Sequence, residues 1–84
     1  MSPNEIKVGA TYHNGKSGPR SYSARKVVEM NLPVVHLTYP ERKSDTGVRF
    51  IQVAGPYKGK EFTYPLESFA KWAKGVVEAS VQNN

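Results

Sequence analysis

At Pro65 the spacing of apolar residues changes, and this change constrains the fold more than any other feature of the chain. Downstream of it, Leu66, Phe69, Ala70, Trp72, Ala73, Val76 and Val77 fill about half of a helical wheel, and Glu67, Lys71, Lys74 and Glu78 fill the opposite arc. Pro65 sits where a first helical turn tolerates proline, and Glu67 precedes Lys71 by one helical turn. Gly75 lies on the polar arc and weakens or ends the helix. The spacing therefore predicts one helix over roughly residues 66–78. Upstream the pattern is that of short strands broken by turn formers. Strands are predicted at Ile6–Tyr12, Tyr22–Met30, Val34–Tyr39, Val48–Ala54 and Lys60–Tyr64. The breaks are a loop at 14–19, the triplet Asn31-Leu32-Pro33, a charged turn at 40–47 and a tight turn at 55–59. In Val34–Tyr39, Val35, Leu37 and Tyr39 share a face. In Val48–Ala54, Val48, Phe50 and Gln52 share one face, and Arg49, Ile51 and Val53 share the other.

The predicted fold class is mainly β with one helix: a small antiparallel β-barrel of four or five strands plus a C-terminal α-helix. Phe69, Ala73 and Val76 are expected to pack on Val35, Leu37 and Ile51 or their strand neighbours. Residues 1–5 read as a loose, flexible N-terminal arm, 6–79 as a single domain and 80–84 as a frayed tail. With 84 residues and no cysteine, the chain has neither a disulfide framework nor a Cys-based zinc site to support it, so apolar burial must hold the fold. There is no long apolar run, and the start, Met1-Ser2-Pro3-Asn4-Glu5, lacks the basic and then apolar pattern of a signal peptide. The cytoplasm is the expected location, and no membrane partner is expected.

Catalytic chemistry is poorly served. There is no cysteine nucleophile, and His13 and His36 have no sequence partner at metal-ligand spacing. The carboxylates are scattered, without an acid–base pairing, and the glycines form no phosphate-binding fingerprint. The expectation is a protein that is not an enzyme, with no cofactor and no metal. The net charge is +5, and the positive excess lies in residues 1–60, because residues 61–84 carry two basic and three acidic groups. An anionic partner would meet the first two-thirds of the chain; the same charge also serves simple solubility. The loop 14–20 reads as a plain turn or as an anion cradle built from backbone N–H groups and Lys16.

The segment Val53-Ala54-Gly55-Pro56-Tyr57-Lys58-Gly59-Lys60-Glu61-Phe62 resembles the KOW motif of transcription-elongation and ribosomal proteins, in which two strands flank a Gly-Pro-aromatic-Lys-Gly turn. KOW modules are SH3-like small barrels that bind RNA or protein through the basic turn and adjoining loops. The resemblance implies that Lys58 and Lys60 face phosphates and that Tyr57 stacks on a base. The order Val8-Gly9-x-x-Tyr12, Arg25-x-Val27, then Leu66-x-x-Phe69-x-x-Trp72 is similar to small SH3-like proteins of phages and prophages. That likeness implies an SH3-like barrel with Phe69 and Trp72 at one end.

Tyrosines interleave with basic residues along the chain, which is the composition of a sequence-tolerant nucleic-acid groove. The expected function is a small basic, non-catalytic binding module that binds nucleic acid weakly through its strand loops. The expected nucleic-acid-binding residues are Lys16, Arg20, Arg25, Arg49, Tyr57, Lys58 and Lys60. The alternative is a protein-interaction module, such as a phage-encoded protein acting on a host component, with Trp72 as its contact. Either reading is compatible with a monomer or a weak homodimer.

Overall fold

A computed structural model describes residues 1–35 and 43–77. Five strands, β1 (Thr11–His13), β2 (Ala24–Val35), β3 (Lys43–Ala54), β4 (Glu61–Pro65) and β5 (Gly75–Val76), form one antiparallel sheet in the order β4-β3-β2-β1-β5. One short helix, α1 (Leu66–Trp72), joins the two edge strands β4 and β5. The sheet is open, and among the described residues no strand pairing joins β4 to β5. None of the described helices is long and apolar enough to cross a membrane.

The predicted helix is shorter than its periodicity suggests. The chain becomes extended at Ala73 (φ −73°, ψ 129°), whose N–H closes the last turn on the Phe69 carbonyl at 3.0 Å. The β-branched pair Val76 and Val77 then follows β1 instead of the helix, with Lys74 N–H donating to His13 O and Val77 N–H to Thr11 O, both at 2.8 Å. Pairing with the edge of β1 gives those amides strand carbonyls in place of the i−4 carbonyls that a continuing helix would have offered. Val76, expected in the core, is consequently 46% exposed.

The first two residues of the predicted strand Val34–Tyr39 continue β2. Asn31-Leu32-Pro33 does not end β2: Asn31 takes a left-handed φ of 62°, and the pairing with β3 shifts register between Val27 and Glu29, Glu29 and Leu32, and Leu32 and Val34. A strand absorbs such residues as bulges, where an unpaired proline nitrogen is tolerated. Residues 43–47 of the predicted turn at 40–47 are strand instead, since β3 runs over Lys43–Ala54; residues 40–42 lie outside the described residues. His36, Leu37 and Tyr39 lie outside the described residues. The predicted first strand is confined to Thr11–His13, because Gly9 turns the chain with a φ of 91°. Residues 3–5, read from sequence as part of an arm, form a 3-10 turn capped by Ser2 and Glu5. The Met1 ammonium group donates to the carbonyls of Ala70 and Ala73, both at 2.8 Å.

The core is aromatic. Phe69 is fully buried, with ring centroids 5.1 Å from Phe50, 5.7 Å edge-on from Tyr12 and 5.5 Å from Trp72. Ile6, Val27, Val48, Ala70 and Ala73 complete it. The helix thus packs on the Val48–Phe50 side of β3, whereas Ile51, expected beneath it, lies on the other side and is half-buried. Apolar residues occupy both faces of this strand, so its alternation alone does not say which face meets the helix.

Candidate functional site

Two loops meet at one end of the sheet. The first, residues 14–23, is held by Asn14. Its Oδ1 accepts from Lys16 N–H (3.3 Å) and Ser23 N–H (3.2 Å), and its Nδ2 donates to Ser21 O (2.8 Å). The second is the tight turn 55–59, closed by Gly59 N–H donating to Gln52 O at 2.7 Å and by Lys60 N–H donating to Tyr57 O at 3.0 Å. Gly55 brings the loops into contact. It has a φ of +93°, and a β-carbon there would lie 2.8 Å from Tyr22 O and 3.2 Å from the Ser23 α-carbon. Only glycine permits that approach.

The loops border an open recess of about 270 Å³. Ser23, Arg25 and Gln52 are its more buried lining residues. Arg20, Ser21, Pro56 and Tyr57 form an exposed rim. Asn14 completes the lining, which contains two arginines and no carboxylate.

Arg25 sits on β2 opposite Tyr12 of β1 and Gln52 of β3, on the sheet face that carries the core. Its guanidinium carbon is 4.0 Å from the Trp72 ring centroid, 4.7 Å from that of Phe50 and 5.3 Å from that of Tyr64. Each such cation–π contact contributes about 0.5–2 kcal/mol, more as water is excluded. Burial pushes the guanidinium pKa below its ordinary value, and Tyr64 acts weakly in the opposite direction. Nε donates to Gln52 Oε1 at 3.2 Å, whereas the buried Nη1 has no hydrogen-bond partner among the described residues. Gln52 is itself buried, and its Nε2 donates to Ser23 Oγ at 2.5 Å and to Ala54 O at 2.8 Å. The amide orientation is thereby fixed, with its oxygen towards Arg25.

The structure brings together some of the sequence-derived site residues and separates others. Arg20, Arg25 and Tyr57 line the recess, and Tyr57 is 69% exposed. Lys16, Lys58 and Lys60 are exposed on the same two loops or at their ends. Arg49 does not join them. It alternates with the core residues Val48 and Phe50 on β3, points to the opposite face and pairs with Glu29 (2.7 Å) and Glu61 (3.8 Å). Trp72, the proposed protein contact, is half-buried between Arg25 and Phe69. Sequence reasoning missed Ser23 and Gln52. The available signal was Gln52 itself, a polar residue in step with Val48 and Phe50, because a buried amide needs partners.

The arrangement offers donors and a ring face to an anion, and it offers no paired nucleophile and base. Among the described residues no group of three His, Cys, Asp or Glu side chains is placed to hold a metal ion. Comparison of the chain with family models, with curated proteins and with solved structures finds no match.

Proposed function

We propose that this protein is a small non-catalytic module of the SH3-like barrel type that binds nucleic acid weakly through its strand loops. The observation that carries this reading is the meeting of loops 14–23 and 55–60 around a recess lined by Arg20 and Arg25, with the exposed ring of Tyr57 at its rim. Lys16 adds positive charge to the first loop, and Lys58 and Lys60 add it to the second. Basic groups beside a stacking face bind a phosphate backbone and its bases without demanding a sequence. The turn that resembles the KOW motif is the one that borders this recess. The SH3-like part of the reading is supported by a four-strand meander whose fifth strand returns beside the first after a short helix. Arg49 is left out of the interface, since Glu29 and Glu61 already partner it.

The test is a heteronuclear NMR titration at low salt with short single-stranded and duplex oligonucleotides. Shifts should concentrate in residues 14–23 and 55–60. Changing Lys58 and Lys60 together to Ala should weaken binding and reduce the salt-dependence slope by about 0.7 for each phosphate no longer neutralised. Changing Lys71 and Lys74 should leave binding unaltered, because their segment has no positive excess. If no oligonucleotide shifts any resonance at low salt, the reading is wrong.

A further inference from the structure

The lining of the recess is more specific than a basic surface. Arg20 has no carboxylate partner among the described residues, and Arg25 carries an unpaired buried nitrogen. Ser23 Oγ already accepts from Gln52 Nε2, which leaves its own O–H free to donate. Three donor-bearing side chains, Arg20, Ser23 and Arg25, therefore line a space without any acidic residue. Its volume of about 270 Å³ lies just under the range of about 300–1,000 Å³ typical of small-molecule pockets, so it suits one compact polar unit. At its rim, Tyr57 is held with a left-handed φ of 64°, and its ring meets Phe62 edge-on at 6.2 Å. That contact engages only part of the ring, and the residue is 69% exposed.

Building on the nucleic-acid reading, we propose that this recess seats a single nucleotide of a single-stranded nucleic acid, its phosphate taken by Arg20, Arg25 and the Ser23 hydroxyl and its base laid on Tyr57. A duplex keeps its bases stacked inside the helix and has none to lay on a side chain, whereas a single strand can turn one outward. The phosphate supplies the counter-charge that the desolvated Arg25 lacks among the described residues, and charge-assisted hydrogen bonds are the strong ones.

The experiment measures the affinity of the parent protein for a short oligothymidylate and for a duplex of equal length, alongside Tyr57→Ala, Arg20→Ala and the Lys58→Ala/Lys60→Ala double variant. Tyr57 and Arg20 are exposed, so both single variants should keep the parent's circular dichroism. The parent should prefer the single strand, and Tyr57→Ala should bind it about tenfold more weakly. Thymidine monophosphate should shift the resonances of Ser23, Arg25, Gln52 and Tyr57, and inorganic phosphate should leave Tyr57 unmoved. Equal affinity for duplex and single strand overturns the proposal. So does an equal response of Tyr57 to inorganic phosphate, which would describe an anion site without a base seat. If the double lysine variant loses binding while Tyr57→Ala and Arg20→Ala bind like the parent, the loop reading stands and the nucleotide seat falls. A parent that binds no oligonucleotide at low salt removes both.

Discussion

Gly55 and Gly59 form a matched pair for testing whether the two loops are locked together. Both have nearly the same positive φ, +93° and +92°. A methyl group at Gly59 would meet nothing within 4 Å, whereas one at Gly55 would lie 2.8 Å from the Tyr22 carbonyl oxygen. Gly59→Ala therefore reports only the cost of forcing an L-residue to positive φ, about 1–2 kcal/mol. Gly55→Ala carries the same cost plus that of moving one backbone away from another, about 1–3 kcal/mol for comparable overpacking. The total for Gly55→Ala is about 2–5 kcal/mol, and in a domain of this size each kcal/mol lowers Tm by about 4–8 °C. Urea and thermal unfolding, followed by circular dichroism and Trp72 fluorescence, measure both variants against the parent. The expected order of stability is parent, then Gly59→Ala, then Gly55→Ala, with the two variants separated by at least about 1 kcal/mol. If Gly55→Ala is as stable as Gly59→Ala, the loops do not touch as described, and the recess between them loses its physical basis.

Phe69→Ala removes the ring on which Tyr12, Phe50 and Trp72 converge and should destabilise the fold by about 3–5 kcal/mol, measured by urea unfolding. A variant that melts like the parent would mean that this face of α1 is not the buried one. Arg49→Ala breaks two ion pairs between half-exposed side chains and should change stability by no more than about 1 kcal/mol. It should also leave oligonucleotide affinity within about twofold after correction for the change in net charge; a larger loss would bring the opposite sheet face into the interface.

Local patterning made the mainly-β class, the placement of a helix after Pro65 and the turn at 55–59 legible in the sequence, because each depends on residues close together in the chain. Alternation with period two marks strands, a recurrence of about 3.6 marks a helix, and closely spaced glycines mark a turn. The tertiary structure decided the features that depend on competition between distant partners. Val76 and Val77 suit a helix stripe by spacing, but the amides of Lys74 and Val77 find carbonyl partners on β1, so the helix stops at Trp72. Asn31-Leu32-Pro33 has the composition of a break, yet pairing with β3 on either side carries the strand through it as a series of bulges. The site follows the same division. Its basic and aromatic residues could be named from composition, and the turn bearing Tyr57, Lys58 and Lys60 from its glycines. Which of them share a surface could not be read, since Arg25 and Arg49 look alike in sequence. Strand register sets Arg25 beside Gln52 under three rings and turns Arg49 to the other face, between two carboxylates. A shift of one residue in that register would exchange the faces, and only long-range packing of the sheet on Phe69 selects between them.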